Sequence, residues 1–133
     1  MFGYDAVRSQ TVVLSDPGAD GTFPIWKAPS RAAKVEILAA SAWVDTAIAG
    51  VGTAITLTLL DRGAAGTATA SAVASALGAT GTGDWTAGVP RAFTISEGTL
   101  DGGDYLCLGY LESGTIAPNN ITVCFEWISG VGA

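Results

Sequence analysis

Turn-forming residues punctuate this chain about every ten residues, and between the marks the side chains alternate or are β-branched. Period-2 alternation sends successive side chains to opposite faces of an extended strand, so a chain patterned this way builds stacked sheets and not helices. Ala54 to Asp61 (AITLTLLD) is the clearest case, with Ile55, Leu57 and Leu59 on one face and Thr56 and Thr58 on the other. Lys34 to Val44 (KVEILAASAWV) places Val35, Ile37, Ala39 and Trp43 opposite Lys34, Glu36, Ala40 and Ala42. Ile121 to Ile128 (ITVCFEWI) turns Ile121, Val123, Phe125 and Trp127 toward a core.

The remaining strands are shorter. Thr11 to Ser15 is closed by Asp16-Pro17-Gly18, and Phe23 to Lys27 carries Pro24, which cannot donate to a ladder and so belongs to an edge or a first position. Arg91 to Ser96 follows, then Asp104 to Leu111, entered through the turn Asp101-Gly102-Gly103, where glycine supplies positive φ. Thr67 to Leu77 (TATASAVASAL) is open to two readings. Alanine favours helix and Gly78 could end one, whereas an extended reading, which is preferred, gathers Ala68, Ala70, Ala72, Ala74 and Ala76 on one face. Gly78 to Val89 is the longest loop; it is glycine-rich and carries Trp85, and loops of this length in compact domains are usually functional or mobile.

Eight strands of this kind predict an all-β fold: an antiparallel two-sheet sandwich, of jelly-roll type, preceded by a short N-terminal arm. The arm comprises residues 1–9 and bears Phe2, Tyr4 and Arg8; residues 10–133 form one sandwich domain. Strand order is not readable from the pattern.

Charge then narrows function. Only 14% of the 133 residues are charged, with 6 Lys+Arg against 12 Asp+Glu and no His, while 49% are hydrophobic and the mean hydropathy is +0.43. Such a chain is ordered, since disorder needs low hydrophobicity and high charge. Its surface, however, must be largely uncharged, covered by small polar groups or by neighbours. A net charge of −6 with scattered basic residues argues against nucleic acid and anionic membranes as partners. The absence of His removes Ser-His-Asp and Cys-His catalysis, and two cysteines without His cannot build a metal site, so no cofactor is expected. The start shows no basic segment followed by an apolar one, which predicts an unprocessed protein made in the cytoplasm.

Among the weaker signals, a pair of carboxylates could serve glycoside hydrolysis, and Asp101 with Asp104 could contribute to a Ca²⁺ site; solvated turns are the preferred reading for these acids. Cys107 and Cys124 would face each other in a direct hairpin but lie apart in a jelly roll, and buried free thiols are preferred. Trp26, Trp43 and Trp127 sit within strands and read as core. Trp85, in Gly83-Asp84-Trp85-Thr86, reads either as a contact residue or as a lid over the core.

The aromatic-bearing arm (MFGYDAVRS), the runs LTLLDRGAAGTATA, GDWTAGVPRAFTI and DGGDYLCLGYLESGT, and the closing strand ITVCFEWISG together resemble small virion proteins of tailed bacteriophages, specifically capsid decoration or cement proteins. That resemblance implies a β-sandwich forming trimers on the outer surface of an icosahedral head, where it clamps neighbouring subunits of the major capsid protein. It carries over no residue as a known contact. From the residues themselves, Phe2, Tyr4, Arg8, Asp84 and Trp85 are the expected interface candidates. The alternative is a receptor- or carbohydrate-binding head of a phage fibre or spike, presenting Trp85.

Overall fold

The computed structural model describes residues 6–15, 17, 19–48, 54–80, 85–113 and 120–130, without the side chains of 79 and 80. Among the described residues ten extended elements occur in chain order: β1 (Arg8–Ser15), β2 (Gly21–Lys27), β3 (Lys34–Val44), β4 (Ala54–Asp61), β5 (Ser71–Ala72), β6 (Leu77–Thr80), β7 (Arg91–Ala92), β8 (Thr99–Asp101), β9 (Tyr105–Ser113) and β10 (Asn120–Gly130). They form two antiparallel five-stranded sheets. The first runs β1-β10-β3-β7 with β8 also on β3, and the second runs β2-β9-β4-β5 with β6 also on β4.

Because β5 and β6 share one flank of β4, and β7 and β8 one flank of β3, the ten elements fill eight strand positions. First pairs with last (β1 with β10), second with second-last (β2 with β9), third with sixth (β3 with β7 and β8) and fourth with fifth (β4 with β5 and β6). That is one long antiparallel ribbon. Wrapping it over itself adds the contacts β10 to β3 and β9 to β4, which is the jelly roll.

The inner faces of both sheets supply the core: Val35, Ile37, Ala42 and Val44 with Ile121, Val123, Phe125 and Trp127 from one, and Ile55, Leu57, Leu59, Leu106, Leu108 and Tyr110 from the other. In β4 and β10 the expected alternation is met residue by residue. In β3 it is not. Val35 and Ile37 are buried, but so are Ala40, Ala42 and Val44, while Ala39 is exposed and Trp43 only half-buried. The register explains the reversal: Trp127 pairs with Ile37 and Glu126 with Ala39, leaving Leu38 as an extra residue opposite none. Such a bulge moves every later side chain to the other face. Ala39 and Trp43 therefore lie on the outer face, contrary to the alternation read from the sequence.

Other boundaries differ as well: the strand expected over Arg91 to Ser96 is confined to Arg91–Ala92, and Leu77–Thr80 pairs with β4 where the start of a loop was expected. β1 begins at Arg8, so the arm expected over 1–9 loses its last two residues to the sheet. Thr67 to Leu77 is neither a helix nor one strand; residues 67–72 are exposed, and Val73 and Ala74 are buried side by side. No single alanine face exists. Here the chain seals one long side of the sandwich. Ser75 N–H donates to Thr94 O (2.8 Å), Ser96 N–H and Glu97 N–H donate to Val73 O (2.9 and 3.1 Å), and Ala74 bridges Ile95. On the opposite side, β1 and β2 end their sheets.

Candidate interaction surface

The outer face of the second sheet follows from its register. Leu111 lies opposite Thr56; Thr22, Gly109 and Thr58 form the next row; Pro24, Cys107, Leu60 and Ala72 form the third. None of these side chains is charged. Thr58 lies so tightly over Gly109 that a Cβ there would collide with its hydroxyl, with Leu60 Cδ1 3.3 Å away on the same side. The small residue lets the outer layer close down on the backbone, and Cys107 is buried beside it. Burial raises the Cys107 thiol pKa, partly offset by the Arg62 charge, which leaves it a poor nucleophile. Leu111, 57% exposed, projects from this face.

The first sheet differs. Its outer rows run Val13-Thr122-Trp43, Thr11-Cys124-Ser41-Ala92 and Ser9-Glu126-Ala39. Beyond the bulge come Glu36 opposite Thr99, and Lys34 opposite Asp101, which form an ion pair. Small side chains beside the bulge leave a shallow depression of about 210 Å³ lined by Ala39, Ser41, Ala92, Cys124 and Glu126. The three rows of the second sheet are therefore neutral, and charge enters its outer face only in the next row, where Lys27 lies opposite Tyr105 with its ammonium 5.3 Å from the ring centre.

Trp85 takes the lid role of the two open to it. Its side chain is 1% exposed. Its backbone bridges Ile48, whose N–H donates to Trp85 O (3.0 Å), and its indole N–H donates to Val89 O (2.8 Å). Arg91, 5.2 Å from the ring and held by Gly78 O (3.0 Å), lies over it. The loop is thus tied down by its own tryptophan, because a ring of this size gains more from the core than from water. Trp85 offers no side-chain surface to a partner in this subunit. Asp84, Phe2 and Tyr4 lie outside the described residues.

Arg8 stands at the start of β1 opposite Trp127, its guanidinium 5.5 Å from the ring centre. Trp26 packs edge-on to Phe125 (5.2 Å) and tilted against Trp127 (5.0 Å). Of the strand tryptophans only Trp127 is fully in the core; its indole N–H has no acceptor among the described residues.

Among the described residues no three His, Cys, Asp or Glu side chains gather to hold an ion. Asp101 pairs with Lys34, and the Asp104 carboxylate accepts the Asp101 N–H (3.2 Å), closing the turn. Burial first, and then the nearby Asp61 charge, push the Asp104 carboxyl above the usual carboxylate range. Asp61 and Glu97 share an open cleft of about 470 Å³ with Ser71, Ala72, Ser96 and Thr99. Its lining contains no aromatic platform for a sugar, and Asp61 already accepts the Gly63 N–H (3.0 Å). Cys107 and Cys124 are free and sit in different sheets.

No protein-family model matches the sequence, and no curated protein matches it either. Solved structures do. A chain of the capsid asymmetric unit of cyanophage Pam1 superposes with a TM-score of 0.53 at 15% identity, covering 98% of this chain and 89% of that one. A chain of infectious bursal disease virus, Gx strain, gives a TM-score of 0.47 at 18% identity, with 95% of this chain covering 33% of that one. The first of these shows that the fold is shared from end to end.

Proposed function

We propose that this protein is a structural subunit of a virion, a decoration protein that stabilises an icosahedral phage capsid by bridging neighbouring subunits of the major capsid protein. It sits on the outer surface, with three copies gathered about each three-fold position, and performs no catalysis. The reading rests on one observation above the others: three adjoining rows on the outer face of the second sheet carry no charged side chain, on a jelly roll that matches a capsid chain over nearly its whole length. A neutral sheet face suits burial against protein, because charges at the centre of an interface carry a desolvation cost. Binding that is restricted to the assembled shell stabilises that shell by mass action, and three sites engaged together add avidity.

The fibre-head alternative drew on Trp85 as a surface aromatic, and Trp85 is buried. Purified protein mixed with expanded phage heads is expected to cosediment at hundreds of copies per particle and to raise the temperature at which the heads release DNA. Occupancy of only a few copies at the tail or vertices, or none, would sink the proposal.

A further inference from the structure

We propose that the outer face of the first sheet binds an uncharged saccharide chain, with Trp43 as the stacking platform and the adjoining depression as a second subsite. Trp43 is the tryptophan that the fold leaves unused. Trp85 is buried and bonded to Val89 O, Trp127 lies in the core, and Trp26 packs on Phe125 and Trp127. Trp43 is half-buried on the outer face, and its ring and indole N–H have neither an aromatic contact nor a hydrogen bond among the described residues. It reaches that face only through the extra residue Leu38, which reverses the alternation of β3. Bulges recur beside functional sites because they re-aim a side chain in this way.

The surroundings supply what a sugar needs. A pyranose ring offers a face of C–H bonds, polarised positive, and a perimeter of hydroxyls. The C–H face stacks on the electron-rich face of an indole, and a few placed polar groups beside the platform fix the hydroxyls. On one side Asn120, two residues before the Thr122 that pairs with Trp43, donates its N–H to Asp45 Oδ1 (2.9 Å). On the other side Ser41 stands two residues along β3, roughly 7 Å away, and opens the depression of about 210 Å³ that it lines with Ala39, Ala92, Cys124 and Glu126. The alanines make the room. Glu126 is exposed, and its carboxylate has no ion pair or hydrogen bond among the described residues, so it offers hydroxyls a charged acceptor, the stronger kind.

Charge selects the ligand class. Both charged groups bordering the platform and the depression, Asp45 and Glu126, are acids, and the neighbouring Arg91, opposite Ala42, is turned onto the Trp85 ring. Such a border repels sialylated or sulfated chains and accepts hydroxyls of a neutral one. A protein partner fits less well, since Trp43 and Val13 are flanked by polar rows, whereas a stable protein interface covers roughly 800 Å² on each partner. The outer faces of a sandwich point in opposite directions, so a subunit seated on a shell by its second sheet turns Trp43 away from the particle. That presentation rests on the proposed function, and many copies would add avidity to a weak single site; the site itself belongs to the isolated subunit.

An array of immobilised neutral oligosaccharides with their sialylated and sulfated counterparts, probed with biotinylated protein clustered on streptavidin, tests it. Binding is expected to neutral members, to fall at least about tenfold with Trp43→Ala and several-fold with Glu126→Ala, and to survive largely in Trp43→Tyr, which keeps a ring. Absence of binding to every neutral member, or a preference for the charged ones, overturns the proposal. Nuclear magnetic resonance of the single subunit then locates the contact. Titration with the neutral oligosaccharide bound best on the array is expected to shift the Trp43 indole N–H signal with a dissociation constant on the order of 1 mM, and to leave that of Trp85 in place; a Trp43 signal that stays put overturns the assignment. Failure in either experiment leaves decoration of phage heads untouched. Conversely, Trp43→Ala is expected to decorate heads at wild-type occupancy, and its loss from heads with an intact thermal transition would make Trp43 a shell contact and overturn the saccharide site.

Discussion

At the scale of single residues, the turn before β9 shows how tightly a few atoms are placed. A Cβ on Gly102 would run into the carbonyl of Ala32, and Gly103 takes φ +88°, so neither accepts a side chain without backbone movement. Asp104 closes the same turn through its carboxylate while burial and the Asp61 charge hold its proton more tightly than in an unfolded chain. The native state thus binds more protons than the unfolded one, starting near pH 4, where a free aspartate titrates. Stability therefore falls as pH rises through that window and levels off once the native carboxyl has also ionised. Asp104→Asn keeps an acceptor for the Asp101 N–H and removes the charge. Thermal melts from about pH 4 to 7 are expected to show that the variant loses the downward slope and melts above wild type at neutral pH; parallel profiles would show that Asp104 contributes none of it.

Among the elements, β3 is decided by its partner and not by its own propensity. Leu38 is the residue that lets Val35 and Ile37 share the core with Ala40, Ala42 and Val44. Deleting it removes the extra residue and leaves Val35, Ile37, Ala40, Ala42 and Val44 in unbroken alternation on one face. The Leu38 deletion is therefore expected to keep a cooperative thermal transition, and Leu38→Ser, at a position 42% exposed, to shift stability by less than about 0.5 kcal/mol. A deletion variant without a cooperative transition would mean that β3 needs the bulge itself and not only the faces it assigns. The same strand marks where sequence reasoning stops. β4 and β10 were legible because their ladders are regular and one face is buried, so side-chain period and burial coincide. In β3 the odd-numbered Val35 and Ile37 and the even-numbered Val44 already disagree in parity, a signal of the shift that a single alternating pattern passes over. β5 to β8 were less legible because short pairings on the flanks of β4 and β3 depend on contacts far away in sequence. Trp85 stays open between contact residue and lid in the sequence for a related reason: glycine-rich flanks mark a loop, but the Val89 carbonyl and Ile48 backbone that capture it come from outside its own tetrapeptide.

Across the whole molecule, the scarcity of charge acquires a direction. Charges collect at the ends of the sandwich and on part of the first sheet, while the rows from Pro24-Cys107-Leu60 to Thr56-Leu111 on the second sheet carry none. A jelly roll needs no such asymmetry to fold, since outer-face residues contribute little to the core between the sheets. A surface that neighbours cover does need it, because each buried unpaired charge weakens an interface. If that face meets the shell, a carboxylate there should act on binding and leave folding alone. Thr22→Glu and Leu111→Glu are both at exposed positions, so each should keep the wild-type melting temperature to within the few degrees that about 0.5 kcal/mol represents. Each is expected to lower occupancy on expanded heads by at least tenfold, the effect of roughly 1.4 kcal/mol, as read from cosedimentation. Ala92→Glu places the same charge on the exposed outer face of the first sheet and is expected to leave occupancy unchanged. Undiminished binding by both second-sheet variants would exclude that face from contact, and loss of binding by Ala92→Glu alone would turn the molecule over on the shell.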